Sequence, residues 1–278
     1  MSNNQATNQK NSVIIRECPL CSSLNNKELP SEFSRDSWHI KTCKICSFYY
    51  LENVVPYSEL IKNFAWTETS IKENEFRLKR SPFLKNLSNK YSWFKQNILK
   101  RDKGTALVKK LLDSGKLLDI GCGSGDILKK MPNGITPFGI EIESKTAKLT
   151  NDYASSKGGH VWHNDAISGL KEAEKDFFDC IIMQSYLEHE INPQEVLKGA
   201  FRVIKKSGFV IIKVPNFNCW NRYLRKENWC GFRFPDHVNY FTSNTLKKMV
   251  LDAGFLIHQF NLADQSPLSD NMWMVLKK

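Results

Sequence analysis

Leu117-Leu118-Asp119-Ile120-Gly121-Cys122-Gly123-Ser124-Gly125 is the stretch that decides the fold of this 278-residue chain. An apolar run feeding a glycine turn reads as a buried strand. The glycines let the backbone turn sharply and let a ligand approach the main chain. Asp126 to Met131 then reads as a short helix. One strand later, Gly139-Ile140-Glu141 puts a carboxylate twenty residues beyond Gly121. An acid at that point can accept hydrogen bonds from ribose hydroxyls. The glycine spacing is G-x-G-x-G. The pyrophosphate fingerprint G-x-G-x-x-G would need a glycine where Asp126 stands, and an acid there repels a phosphate over a helix start. The pattern favours a ligand with a ribose and no phosphate, and S-adenosylmethionine is one.

Outward from this centre the chain alternates between strand and helix. Strands are expected at Lys116 to Ile120, Thr136 to Ile142, His160 to His163, Phe178 to Gln184 and Phe209 to Val214. Helices are expected at Ser144 to Lys157, Pro193 to Lys205 and Thr242 to Ala253, the last ending at Gly254. Two closing strands, Phe255 to Leu262 and Met272 to Leu276, complete the pattern. Such alternation predicts an α/β fold, a doubly wound and mainly parallel seven-stranded sheet covered on both faces. Upstream, 57–112 carries apolar residues at helical spacing, interrupted at Pro82.

Leu118 to Gly125 resembles the first motif of class I S-adenosylmethionine-dependent methyltransferases. Downstream segments follow that family's order. Asn164-Asp165-Ala166 resembles the segment whose acid contacts the adenine amino group. Phe178 to Met183 resembles the fourth strand, and Phe201 to Gly208 the turn before the fifth. Lys206-Ser207-Gly208 stands where the family usually has Pro-Gly-Gly. The resemblance implies a Rossmann-like methyltransferase fold. It also implies a cofactor site built from Asp119, Gly121, Gly123, Gly125, Glu141, Ile142, Asp165, Ala166 and Gln184.

Two of the chain's eight-cysteine complement form each of two tight pairs, Cys18-Pro-Leu-Cys21 and Cys43-Lys-Ile-Cys46. Two C-x-x-C knuckles supply a closed four-thiolate shell for one Zn²⁺, which predicts a structural site with no open position for catalysis. A metal would replace the core that so short a segment cannot build. This arrangement resembles a methyltransferase subgroup with an N-terminal zinc-binding segment, linked to sugar and surface-glycan pathways. The expected organisation is a disordered leader at 1–12 and a zinc module at 13–52. A helical linker or cap over 53–115 and a catalytic domain over 116–278 follow, with a substrate lid at 215–241.

Ligands of open α/β sheets bind beyond the carboxyl ends of the strands. After the fourth strand stand Gln184-Ser185-Tyr186-Leu187-Glu188-His189. His189 is the first candidate for general base, because imidazole titrates near neutrality; Glu188 can orient it or act directly. Tyr-x-Glu-His at this place resembles the motif of sugar C-methyltransferases, which adds Tyr186 to the candidates. In the aromatic-rich lid, Pro235-Asp236-His237 adds His237 as a substrate-binding or second basic group. Arg222, Arg225 and Arg233 offer charges for a phosphate or carboxylate.

The net charge of +11 concentrates early: 72–116 holds 13 Lys/Arg against 4 Asp/Glu. That patch suits an anionic partner. The expected acceptor is a small molecule, anionic or sugar-linked. RNA is the rival partner, through the zinc module and the basic segment. A non-catalytic S-adenosylmethionine-binding scaffold is the second rival. With no long apolar run and no signal-like start, a cytoplasmic protein without membrane spans is expected.

Overall fold

The structure, a computed structural model, describes residues 13–56 and 102–278, together with Glu75. The expected leader and most of the expected helical segment lie outside the described residues.

The centre of the molecule is a seven-stranded sheet in the order β11-β12-β9-β8-β5-β6-β7. Its parallel part comprises β5 (Gly115–Ile120), β6 (Ile135–Glu141), β7 (His160–His163), β8 (Phe178–Gln184) and β9 (Ile204–Pro215). The closing pair β11 (Leu256–Gln259) and β12 (Asn271–Lys277) is antiparallel. Side chains along a strand alternate between faces, so apolar runs here fill two cores at once. Leu118, Ile120, Ile181, Met183, Val210 and Ile212 pack on one face. Leu117, Cys180, Ile182 and Ile211 pack on the other.

Helices cover both faces. α1 (Lys103–Leu111) and α2 (Ser144–Ser156) bury Leu107, Val108, Ala147 and Ala154 on one side. α3 (Ala166–Glu172), α4 (Pro193–Val203) and α6 (Ser243–Asp252) bury Leu170, Val196, Leu197, Leu246 and Met249 on the other. Asp102, Glu143, Asp165 and Thr242 cap α1, α2, α3 and α6 through hydrogen bonds to first-turn amides. The stretch expected to be a helix at Asp126 to Met131 is shorter, a 3-10 turn over Leu128–Lys130.

The N-terminal segment is not a bead on a string. A ribbon pairs β1 (Ile14–Ile15) with β4 (Asn53–Val54), and a hairpin joins β2 (Ile40–Thr42) to β3 (Tyr49–Leu51). β3 then pairs with β10 (Asn239–Tyr240), which belongs to the segment expected to be a lid. That segment also carries α5 (Trp220–Arg225). Ile40, Leu51 and Val54 share a third core with Phe217, Trp229, Phe232, Phe234 and Tyr240. The aromatic segment is thus a packed wall. Only Trp220 and Tyr223 of its eight aromatic residues are exposed.

Candidate active site

The glycine turn leaves the carboxyl end of β5 with φ of +74° at Gly121, +49° at Gly123 and +75° at Gly125. L side chains rarely adopt this left-handed region. Gly121 is constrained twice, because a Cβ there would lie 2.7 Å from the Tyr186 ring. Glu141, at the end of β6, reaches back across the turn. One of its carboxylate oxygens accepts from the Gly123 amide at 2.8 Å and the other from the Glu143 amide at 2.9 Å.

A small cleft opens here, lined by Gly121, Ile140, Glu141, Ile142, Asn164, Asp165, Ala166 and Tyr186. Six of the nine cofactor residues expected from sequence border it or its turn: Gly121, Gly123, Glu141, Ile142, Asp165 and Ala166. Asp165 caps α3, accepting from the Ser168 amide at 2.9 Å and its hydroxyl at 2.7 Å. Gly125 packs away from the cleft, on Thr150 of α2. Gln184 faces α1, where any side chain at Gly104 would collide with its carboxamide. Asp119 is buried beneath the turn. Burial, with Glu141 and Asp126 nearby, pushes its carboxyl up to about 8.

The cleft's chemistry fits an adenosyl group. A carboxylate faces the space where ribose hydroxyls would bind, apolar Ile140 and Ile142 flank it, and among the described residues no Lys or Arg lines it to clamp a phosphate.

At the carboxyl end of β8 the chain turns through Ser185, whose φ of +58° is unusual for a residue with a side chain. Such strain is characteristic of functional corners. It aims Tyr186, Glu188 and His189 beyond the sheet. The Tyr186 hydroxyl donates to Glu190 at 2.5 Å, and Glu190 is itself buried and accepts from the Asn192 amide. Ligand-capable atoms of Glu188, His189 and His237 all lie within 4.8 Å of one another. The two imidazole rings meet edge to face, with centroids 4.6 Å apart. Nδ1 of His189 lies 3.0 Å from the Asp236 carbonyl, and Nδ1 of His237 lies 2.8 Å from the Gly231 carbonyl. A carbonyl only accepts, so both nitrogens are donors.

One ground of the sequence reading is corrected here. His189 does not keep a near-neutral pKa. Loss of hydration in this crowded corner, helped by the positive charge of Arg233, holds it down at about 3. Burial pushes Glu188 the other way, up to about 7, against the pull of Lys213 and Arg233. Of the three expected anion-binding arginines, Arg222 is buried, donating Nε to the Phe217 carbonyl with its guanidinium over the Phe217 and Tyr223 rings. Arg233 pairs with Asp236 at 2.9 Å.

Glu190 and Lys213 were not singled out from their local sequence, while Arg233 was expected only as an anion-binding charge and Asp236 only as a neighbour of His237. Glu190 has a local signal, since it stands four residues after Tyr186. The others arrive from β9 and the packed wall by tertiary folding alone.

The four cysteine sulfurs Cys18, Cys21, Cys43 and Cys46 also converge within 4.8 Å of one another. Cys18–Cys46 and Cys21–Cys43 Sγ distances are both 3.5 Å. Thiolates about 2.3 Å from a tetrahedral Zn²⁺ stand roughly 3.8 Å apart, so the set fits that ion. The Ser23 hydroxyl lies within 3.2 Å of Cys21 and Cys43, as a second layer of support.

A family model described as a methyltransferase domain matches residues 93–259, more than half of the chain. The chain belongs to the methyltransferase domain family. Its class is that of S-adenosylmethionine-dependent methyltransferases. Among curated relatives, this methyltransferase is 25% identical to the uncharacterized protein MJ1123 of Methanocaldococcus jannaschii, over 61% of this chain and 81% of that protein. It is 28% identical to a ubiquinone biosynthesis O-methyltransferase of Paracidovorax citrulli, over 38% of this chain and 46% of that enzyme. The match thus spans less than half of that relative's length. An S-adenosylmethionine-dependent methyltransferase from Archaeoglobus fulgidus shares the fold, with a TM-score of 0.50 and 20% identity over 68% of this chain and 99% of that one. Among the described residues, no helix is long and apolar enough to cross a membrane.

Proposed function

We propose that this methyltransferase methylates a hydroxyl of a small anionic acceptor, a sugar or nucleotide-linked sugar, at the Glu188–His189–His237 corner. The observation that carries the reading is the convergence of these three side chains beside Tyr186, which also lines the cofactor cleft. Lys213 and Arg233 act electrostatically on the same corner, which suits an acceptor with a negative group. The O-methyltransferase named among the relatives supports oxygen as the target atom.

In this reading Glu141 holds the ribose, Asp165 and Ala166 face the adenine, and the Gly121–Gly125 turn admits the methionine end. When bound, the cofactor supplies an electrophilic methyl on a sulfonium. Glu190 fixes Tyr186 so that its ring packs on Gly121 between cleft and corner. The wall around His237 keeps water from the reacting atoms. Holding nucleophile and methyl in line supplies several kcal/mol of the barrier reduction. Cys18, Cys21, Cys43 and Cys46 hold a structural zinc that fixes the β2–β3 hairpin.

The test is methyl incorporation from labelled S-adenosylmethionine into separate pools of nucleotide-sugars, sugar phosphates, catechols and RNA. Label in the sugar pools, which stays on the free sugar after mild acid hydrolysis of the glycosyl phosphate, is the expected result. Salt-sensitive label in RNA alone would replace this reading with the RNA one.

A further inference from the structure

We propose that Glu188, His189 and His237 form a divalent-cation site of the two-histidine, one-carboxylate kind, separate from the four-cysteine cluster. Three observations converge on it. First, one ligand atom from each residue lies within 4.8 Å of the others. Donors about 2.1 Å from one ion stand roughly 3–3.5 Å apart, so small side-chain rotations close the shell. Second, each histidine commits Nδ1–H to a backbone carbonyl, of Asp236 and of Gly231. That is the outer-shell pattern that fixes the tautomer and presents Nε2 as the ligand. Third, Glu188 is 1% exposed, and its Oε2 is buried with no hydrogen-bond partner. A buried carboxylate oxygen left so is costly unless something compensates it.

The donor set selects the ion. Two imidazoles and one carboxylate suit first-row divalent metals, whereas Mg²⁺ and Ca²⁺ prefer all-oxygen shells. Three protein ligands leave positions open, the mark of a catalytic site. The cost of bringing a cation near Arg233 is reduced by Asp236, which pairs with that guanidinium at 2.9 Å.

The chemical consequence rests on the reading that the acceptor reacts at this corner. An acceptor hydroxyl bound to the cation is acidified. Its proton leaves to water, its oxygen lone pair forms the new bond to the methyl carbon, and the electrons of the broken carbon–sulfur bond stay on sulfur. The products are the methyl ether, S-adenosylhomocysteine and one proton.

The test titrates Co²⁺ into the zinc-loaded full chain and follows visible absorption. One equivalent should bind with weak d–d bands and no thiolate charge-transfer band. Proton NMR of the same sample should show two exchangeable, strongly downfield-shifted resonances, one from each Nδ1–H. Glu188→Gln and His237→Gln should each weaken Co²⁺ binding at least 10-fold. Calorimetry with S-adenosylmethionine runs in parallel, and loss of that binding would count against the cofactor reading, not against the metal. No cobalt band at millimolar Co²⁺, a thiolate band alone, or wild-type spectra without shifted imidazole protons would overturn the proposal. The NMR arm decides it even if a variant fails to fold.

Discussion

Glu141 spans the glycine turn through two backbone amides, so its carboxylate is oriented before any ligand arrives. An acceptor group held in advance binds with little ordering cost. Glu141→Ala should therefore weaken S-adenosylmethionine binding by roughly 10- to 100-fold, the worth of one or two charge-assisted hydrogen bonds. Calorimetry measures the affinity, and an unchanged melting temperature shows the fold is intact. Asp119 gives a second prediction with a definite sign. Its folded-state pKa of about 8 lies above the ordinary carboxylate value. Between those values the folded protein keeps a proton that the unfolded chain has released, so stability falls as pH rises through that window. The slope from one such proton is at most about 1.4 kcal/mol per pH unit. Denaturant unfolding at pH 5 to 8 should show the decline, and Asp119→Asn should flatten it. A slope unchanged in that variant would assign the effect elsewhere. Both acids were legible in the sequence because strand-end acids flank the glycine turn. The depressed pKa of His189 was not, because it depends on what surrounds the ring in three dimensions.

At the scale of elements, Arg16 joins the four-cysteine segment to the Glu188–His189–His237 corner. Its guanidinium donates to the carbonyls of Leu51 and Ile191 at 2.8 Å, to Asn239 Oδ1 at 3.0 Å, and to the Val238 carbonyl. Val238 and Asn239 in turn donate their amides to the Glu188 carbonyl. The path from module to corner is thus continuous. Arg16→Ala should cost about 2 kcal/mol or more of stability. It should slow methyl transfer more than it weakens cofactor affinity, because none of the residues Arg16 bonds to lines the cleft. Equal losses of both would show that the fold as a whole had loosened. The zinc proposed for the four-cysteine site would act on the same path. Chelation, or Cys43→Ser, should lower the melting temperature and release one equivalent of zinc, read by metal analysis. Release of zinc without any change in melting would contradict a structural role. The elements themselves were largely readable. Strands at His160–His163 and Phe178–Gln184 stand where their apolar runs put them. Two elements were not. β9 spans Ile204 to Pro215, but its pairing with β8 jumps from Phe178–Ile204 to Cys180–Phe209, so Lys205 to Gly208 bulge out of register where a plain turn was expected. α3 carries Gly169, a poor helix former, because the Ile140 side chain packs where a Cβ would be. Neither cause is visible in a local pattern.

The described residues form a central seven-stranded sheet with a cleft at one set of strand ends and a wall built from two distant segments. β3 and β10 pair Tyr49–Tyr50 with Asn239–Tyr240, a contact between residues nearly two hundred positions apart. No single-sequence periodicity reports such a pairing, which is why the aromatic segment read as a lid and not as a shared core. The packing explains how a short cysteine-rich segment stays ordered: Phe48 lies on Phe241 at 5.3 Å, and Tyr50 is fully buried.

The central claim is that the turn and Glu141 grip an adenosyl sulfonium whose methyl faces the corner beyond β8. A crystal structure with S-adenosylhomocysteine tests it most directly. The account predicts the ribose hydroxyls on Glu141, the adenine beside Asp165 and Ala166, and the sulfur facing Tyr186 toward Glu188 and His237. A ligand bound elsewhere, or a cleft filled by the protein's own side chains at saturating ligand, would contradict it.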